Sequence, residues 1–346
     1  MILFLFALSS LCANITESLH DFYFDPPLSS LDISDWNHPS QDDYEKIEAF
    51  LVEKKNRFIA TPLSERPYPT VELNRDFYGW ITYLMKGNSL IAKAPERHVD
   101  YLGNPPDQRK WCVITYATRS IKRDYRDYVR GVKWIKKALA ANGFKGHFIY
   151  YIGGWPGLKQ GRLRFADVPY AFKPFLFEEA RDLGYKSILW LDASILPVRS
   201  LNLYFRILDL KGLSLLCDGY TQSWRETFDI GHTYLMPEVV STPRDFEVIS
   251  SSLIGLNMDH PQARALLDEW IQAAERRTPF LIGDMPVFQF LVSNLGLNSY
   301  RIRAPYYKFS GWGKGDFTSW KKEKKIIFFH QYDLVDPNFN VPENLF

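Results

Sequence analysis

Apolar runs and amphipathic stretches alternate through the second half of the chain. The run "WCVITYAT" is continuous and rich in β-branched and aromatic residues, and "GHFIYYIGG" and "KSILWL" follow it. Between them, "DYRDYVRGVKWIKKALAANG" and "AFKPFLFEEARDLG" have helical spacing and end at Gly143 and Gly184. Apolar strands separated by helices are typical of a parallel sheet that is covered on both faces. The pattern therefore predicts a doubly wound α/β sheet.

Three later runs extend this prediction. "LSLLCD", "VISSSLIGLN" and "KKIIFFH" are rich in strand-forming residues, and adding them to the central layer predicts a mixed sheet flanked by helices. A long, loop-rich interval runs from Gly219 to Arg244. Loops of that length usually hold function or insertions.

The first hundred residues follow a different pattern. Ser40 with Asp43 three positions later forms a capping box, which predicts a helix to about Asn56. A second helix is predicted between Val71 and Met85, and a proline-marked linker follows between Pro95 and Pro106. We therefore expect a helical N-terminal extension over residues 19–108 and an α/β domain over residues 109–346.

The chain begins with a short apolar run, "MILFLFALSSLCA", followed by polar residues. The run is too short to cross a bilayer as a helix, and it resembles the core of a signal peptide, although no basic residues precede it. We expect a targeting segment over residues 1–18, with membrane association through this segment as one consequence. If the segment is a signal, the protein enters the secretory pathway or is membrane-associated. Otherwise it is cytoplasmic, and both alternatives stay open.

Composition narrows the function classes. The formal net charge of the 346 residues is only +2, which provides no global field for nucleic acid, so we expect no nucleic-acid partner. Cys112 and Cys217 fall in predicted strands, which favours two buried thiols over a disulfide. The chain also lacks the G-x-x-x-x-G-K-[ST], G-x-G-x-x-G, H-E-x-x-H and G-x-S-x-G motifs. Phosphate-loop enzymes, zinc metalloproteases and common serine hydrolases are therefore disfavoured.

Candidate chemistry lies in the stretch "LWLDASI". Asp192 directly follows the apolar strand predicted for "KSILWL", and the carboxyl end of a parallel strand is where open α/β sheets bind their ligands. Side chains alternate along an extended segment, so Asp192 and Ser194 are predicted to face one ligand. The alternative is an aspartate that caps the next turn.

Two further segments join this pattern. Lys173 and Pro174 start a predicted helix, and a helix N-terminus beside an ammonium attracts a diphosphate. His330 ends the run "IIFFH". Imidazole is a good ligand for Mn²⁺ or Zn²⁺, although a lone histidine after a strand is more often structural.

In their order along the chain, these segments resemble nucleotide-sugar glycosyltransferases of the GT-A fold. Within that fold, the sequence most resembles a little-characterised group whose strand-end motif also reads W-L-D-A-S. The resemblance covers about Trp111 to Asp333 and rests mainly on "LWLDASI" with the upstream Lys-Pro. It implies a doubly wound mixed sheet that transfers a sugar from a nucleotide-diphosphate donor to a hydroxyl of a glycan, protein or lipid.

The same resemblance implies roles for individual residues. The D-x-D motif of that fold binds the ribose and a divalent metal, so Asp192 takes its first position and Ser194 its last, and the C-terminal histidine ligand is His330. The implied metal is Mn²⁺. Because a hydroxyl is a weaker ligand for a hard dication than a carboxylate, metal dependence stays open.

Donor binding and catalysis are assigned in the same way. "GDM" stands where related sequences often show His-Asp-Gln, so Asp284 is expected to orient the acceptor or act as base, with a helix N-cap as the alternative. An inverting enzyme needs a carboxylate base near the acceptor, and the three candidates are Asp284, Asp218 and Glu226. The expected donor-binding residues are Thr115, Tyr116, Lys173, Asp192, Ser194 and Lys314.

Two rival functions remain at this level. A non-catalytic descendant of the fold would bind glycans or partner proteins, and the missing second acid and the altered "GDM" favour it. Another nucleotide-using enzyme, such as a nucleotidyltransferase, would share the donor site. Analysis of the products from labelled donors separates transfer of the sugar from transfer of the nucleotide.

Overall fold

The structure is a computed structural model, and it describes residues 25–65, 96–117, 127–155, 159–168, 170–217, 248–277, 284–303, 305–311 and 324–336. The predicted targeting segment, the predicted helix between Val71 and Met85 and the interval from Gly219 to Arg244 lie outside these residues. Among the described residues, no helix is both long and apolar enough to cross a membrane.

The strands of the described chain form two sheets. In chain order they are β1 (Glu96–Leu102), β2 (Trp111–Ala117), β3 (Gly146–Ile152), β4 (Ser187–Leu191), β5 (Ile195–Pro197), β6 (Leu213–Cys217), β7 (Ile249–Asn257), β8 (Tyr300–Ile302), β9 (Tyr307–Gly311) and β10 (Phe328–Gln331). Within the described residues, the larger sheet has the order β1-β3-β2-β4-β7-β6-β8. Strands β1 and β7 run antiparallel to their neighbours, whereas β2 pairs in parallel with β3 and β4. The predicted mixed sheet is confirmed.

Helices cover both faces of this sheet. They are α1 (Gln41–Ala60), α2 (Tyr128–Ala141), α3 (Phe172–Asp182), α4 (Asn202–Lys211), α5 (Pro261–Glu275) and α6 (Asp284–Asn294). Side chains alternate along β2: Ile114 belongs to one core with Trp270, and Val113 belongs to a second core with Val132 and Phe205. Because one strand contributes to two cores, the sheet is buried on both sides, which explains why its strands are continuously apolar.

The N-terminal part packs onto this sheet layer. Helix α1 begins with the predicted capping box between Ser40 and Asp43 and continues past Asn56 to Ala60. Its residues Ile47 and Leu51 are fully buried in the same core as α3 and α5. The prediction of a linker after Pro95 is wrong, because β1 pairs with β3 along its whole length. Its sequence, "ERHVDYL", is mostly polar, as an edge strand can be, so the apolar pattern did not predict this strand. The domain boundaries stay a prediction.

The second sheet is small and has the order β5-β10-β9 in the described chain. The run "KKIIFFH" is predicted to join the central sheet. Only the part from Phe328 onward is a strand, β10, and it pairs with β5 and β9 instead. Strand β5 follows β4 after a single turn. The small sheet therefore stands beside the carboxyl end of β4 and brings His330 to that end.

Both described cysteines are buried free thiols, as predicted. Burial raises the pKa of Cys112 well above its ordinary value, so this thiol stays protonated in the folded protein.

Candidate functional site

The carboxyl ends of β2 and β4 form the place where the strand order reverses. Strand β3 lies on one side of β2 and β4 on the other, and open α/β sheets bind ligands at such a switch point. Pairing between β2 and β4 ends at Ile114 and Trp190. Beyond that pair the Thr115 hydroxyl donates to the carbonyl oxygen of Leu191 at 2.6 Å, which ties the two strand ends together. Asp192 follows immediately, so its placement at the strand tip is confirmed.

Lys173 is the centre of the site. It enters from the first turn of α3, where Pro174 suits a helix start. Its ammonium lies 2.7 Å from Oδ2 of Asp284 and 3.3 Å from Oδ1 of Asp192. It also donates to the carbonyl oxygen of Ser251 at 3.1 Å. One buried cation therefore joins four elements: α3, the end of β4, β7 and the start of α6.

The two aspartates differ in exposure. The side chain of Asp284 is 8% exposed, whereas that of Asp192 keeps 35% of its surface open. Oxygen Oδ1 of Asp192 receives a 2.7 Å hydrogen bond from the indole nitrogen of Trp190. Oδ1 therefore faces the protein, whereas Oδ2 has no hydrogen-bond or ion-pair partner among the described residues. Asp192 forms the open edge of the cluster, where a ligand would meet it.

Burial and neighbouring charges shift two of the pKa values. Burial raises the pKa of Asp192 above its ordinary value, and the Asp284 charge raises it further, while Lys173 opposes this shift. Burial alone would lower the pKa of Lys173, but the two carboxylates together raise it. Lys173 is therefore charged at neutral pH. A carboxylate whose ionised form is disfavoured in a crevice is typical of functional sites.

The charge balance around Lys173 sets what the cluster can bind. One ammonium faces two carboxylates, so the cluster has one negative charge in excess when all three groups are ionised. Lys173 is also almost fully buried. In this arrangement the ammonium is already balanced by Asp192 and Asp284, and its attraction for a donor diphosphate stays a prediction. The open carboxylate of Asp192 is better suited to accept hydroxyl groups.

Ser194 lies in a turn rather than an extended segment. The backbone nitrogen of Ile195 donates to the carbonyl oxygen of Asp192 at 2.8 Å, which closes the turn. The prediction that Asp192 and Ser194 alternate along one extended face is therefore wrong. Ser194 instead contacts His330, with 3.0 Å between Oγ and Nε2.

Two of the three predicted metal ligands, Ser194 and His330, contact each other and do not fit a divalent cation. The second ring nitrogen of His330, Nδ1, lies 2.6 Å from the hydroxyl of Tyr307, so both nitrogens are engaged. Burial lowers the pKa of His330 to about 3, so the imidazole is neutral. Within the described ranges, no group of three or more His, Cys, Asp or Glu side chains could hold a metal ion. Mn²⁺ stays a prediction from the resemblance.

The remaining predicted residues divide into two groups. Thr115 and Tyr116 are buried, and their hydroxyls donate to the carbonyl oxygens of Leu191 and Gly154. Their role in donor binding stays a prediction. Three further candidates lie outside the described residues: Asp218, Glu226 and Lys314.

Sequence reasoning missed three contributors to the site. The carbonyl oxygen of Ser251 accepts a hydrogen bond from the Lys173 ammonium, the Trp190 indole donates to Asp192, and the Tyr307 hydroxyl contacts His330. A signal was present for the first, since "ISSS" places polar residues at the start of an otherwise apolar strand. No sequence pattern distinguishes Trp190 or Tyr307 from ordinary core aromatics.

Comparisons with known proteins give a consistent but distant result. No protein-family model matches the sequence, and no curated protein matches it. Solved structures that are similar include a glycosyltransferase involved in glycosylation of the major capsid of PBCV-1, with 11% identity over 64% of this chain and 93% of that chain and a TM-score of 0.37. Mouse xyloside xylosyltransferase 1 has 10% identity over 67% of this chain and 100% of its own, with a TM-score of 0.41. The bifunctional glycosyltransferase WbbM has 11% identity over 84% of this chain and 60% of its own, with a TM-score of 0.40.

By name these neighbours are glycosyltransferases.

Proposed function

We propose that this protein is a glycosyltransferase that uses a nucleotide-diphosphate sugar as donor and a hydroxyl group as acceptor. The observation that carries the proposal is the buried Lys173 ammonium, which joins Asp192 and Asp284 at the switch point of the sheet. Buried charges that are joined across three elements are costly to assemble, and clusters of perturbed pKa values are typical of functional sites.

Asp192 is assigned to the donor. Its partly exposed carboxylate accepts hydrogen bonds and cannot donate them when ionised, so hydroxyls of a ribose or a sugar are suitable partners. Trp190 and Lys173 hold the other carboxylate oxygen in place, and this orients the open oxygen before the ligand arrives. Such preorganisation is how a site converts binding energy into correct placement of the reacting groups.

Transfer of the sugar breaks the bond between its anomeric carbon and the donor diphosphate and forms a bond to the acceptor oxygen. The acceptor proton must pass to a base, and the departing diphosphate needs positive charge to compensate its own. The cluster supplies no excess positive charge, so this compensation has to come from other groups. Lys314 is the other lysine that the sequence predicts to bind the donor.

Direct binding tests the proposal. Calorimetric titration of the full chain with a panel of UDP- and GDP-sugars, with and without Mn²⁺, is expected to reveal at least one donor that binds. Incubation with the same donor labelled in the sugar should then move the label to an acceptor. Absence of binding for every donor under both conditions would contradict the proposal, and labelled nucleotide in the product would favour a nucleotidyltransferase.

A second candidate, a protein that binds nucleotide sugars or glycans without transferring sugar, is favoured by one observation. Oxygen Oδ2 of Asp284, a candidate base, lies 2.7 Å from the Lys173 ammonium, and its side chain is only 8% exposed, so little of it is open to an acceptor in this conformation. This candidate predicts donor binding with neither hydrolysis nor transfer. Release of the free sugar by wild type, and its loss in Asp192→Ala, would exclude it.

A further inference from the structure

The turn that carries Asp192 is attached to the small sheet by a chain of buried side chains. Ser194 Oγ lies 3.0 Å from His330 Nε2, and His330 Nδ1 lies 2.6 Å from the Tyr307 hydroxyl. All three side chains are almost completely buried. The backbone makes the same connection as these side chains, because Ile195 on β5 pairs with His330 on the antiparallel strand β10.

The two distances assign the direction of the hydrogen bonds. A separation of 2.6 Å is short for an N–H donor but ordinary for an O–H donor, so the Tyr307 hydroxyl donates to Nδ1. A neutral imidazole has one donor and one acceptor nitrogen. Nε2–H therefore donates to Ser194 Oγ, and the 3.0 Å distance is the usual one for such a bond.

This arrangement leaves no lone pair on the imidazole for a metal ion. Ligation through Nδ1 would displace the Tyr307 hydroxyl, and ligation through Nε2 would require loss of its proton or a flip of the tautomer. Each change would leave a buried polar group without its partner, which is costly. At Asp192, one carboxylate oxygen is already bound by Trp190 and Lys173.

We propose that Tyr307, His330 and Ser194 form a neutral hydrogen-bond chain that positions the Asp192 turn, and that His330 and Ser194 do not ligate a metal. The inference rests on the proposed function for its consequence, since the turn positions the residue assigned to the donor. Any metal that accompanies a donor diphosphate would then be held without His330.

A cycle of variants and metal tests the role of His330. Titration of UDP or GDP, whichever binds wild type, is performed with wild type, His330→Gln and Tyr307→Phe, in EDTA and in Mn²⁺. We expect both variants to weaken binding about three- to tenfold, the value of one or two lost buried hydrogen bonds, and by the same factor in both buffers. Tyr101→Phe, which removes a hydroxyl from a half-exposed ring on β1, is the matched control and is expected to bind as wild type does.

A loss that appears in His330→Gln only with Mn²⁺, together with wild-type binding in Tyr307→Phe, would overturn the proposal because it is the behaviour of a metal ligand. Nitrogen-15 spectra of the His330 side chain provide a readout that needs no ligand. We expect the tautomer with the proton on Nε2 in wild type, unchanged by Mn²⁺, and altered in Tyr307→Phe. A proton on Nδ1 in wild type would contradict the chain. If neither nucleotide binds wild type, the proposed function fails, whereas the spectra still decide the tautomer.

Discussion

Replacing Lys173 with methionine tests the charge cluster most sharply. Methionine keeps the length and the apolar stem of lysine but removes the ammonium between Asp192 and Asp284. At an effective dielectric of about 20, unit charges 2.7 Å apart attract by about 6 kcal/mol before desolvation is counted. Breaking a buried pair by removing one partner costs about 3–5 kcal/mol overall. The contact with Asp192 adds little, because that side chain is 35% exposed and is screened by solvent. We therefore expect the free energy of unfolding to fall by about 3 kcal/mol.

The pH dependence of this loss gives a second readout. Without the ammonium, burial and the Asp284 charge raise the pKa of Asp192 further, while the hydrogen bond from Trp190 still lowers it. A carboxyl whose pKa is raised in the folded state binds protons more tightly there, so Lys173→Met should regain stability relative to wild type as pH falls through that raised pKa. In wild type Lys173 contributes with the same sign, since its raised pKa contributes stability that is lost as pH rises through that pKa.

Urea denaturation at several pH values measures both effects. Lys186→Met is the matched control, because Lys186 pairs with Asp259 at 3.1 Å but both side chains are more than half exposed. We expect its unfolding midpoint to change little. Adding Asp284→Asn to Lys173→Met should restore part of the lost stability, since the amide removes the uncompensated charge. A loss below about 1 kcal/mol in Lys173→Met, with no pH dependence, would refute the reasoning.

Three other predictions follow from local geometry. A Cβ at Gly131 would lie 2.0 Å from the carbonyl oxygen of Ala193, so Gly131→Ala should cost about 1–3 kcal/mol in calorimetric unfolding and weaken donor binding by moving the Asp192 turn. Gly143→Ala is its control, because its Cβ would meet nothing and only its positive φ of 62° is strained; it should cost about 1 kcal/mol and leave donor binding unchanged, and equal effects on binding would contradict this. Ser40→Ala removes the capping box of α1 and should lower the free energy of unfolding in urea by about 1 kcal/mol, whereas no change would mean that the cap contributes nothing. The buried Cys112 thiol should react with a thiol reagent only after unfolding, and rapid labelling of the native protein at this residue would contradict its burial.

Local patterns predicted the elements that build the site. The apolar runs that became β2, β3 and β4 carry their burial in the sequence, since a strand covered on both faces must be apolar at every position. The capping box at Ser40 and the Lys173-Pro174 start of α3 were predicted because their chemistry acts within one helical turn.

Contacts between distant segments could not be predicted in the same way. The pairing of Lys173 with Asp284 depends on where α6 begins relative to α3, and nothing local to either residue specifies that distance. The pairing of Ser194 with His330 required the small sheet, whereas the strand pattern placed β10 in the large one. The turn after Asp192 also overrode the alternation expected of an extended segment.

Binding of a nucleotide sugar by wild type and by Asp192→Asn tests the central claim most directly. Because burial and Asp284 disfavour the ionised form of Asp192, the asparagine variant should fold at least as stably as wild type, yet lose donor binding by tenfold or more. Asp259→Asn, at an exposed carboxylate far along the chain, serves as the control and should bind as wild type does. Calorimetry on the three proteins, with unfolding temperatures measured alongside, gives the answer. Unchanged donor affinity in a folded Asp192→Asn variant would contradict the assignment of this strand end as the donor site.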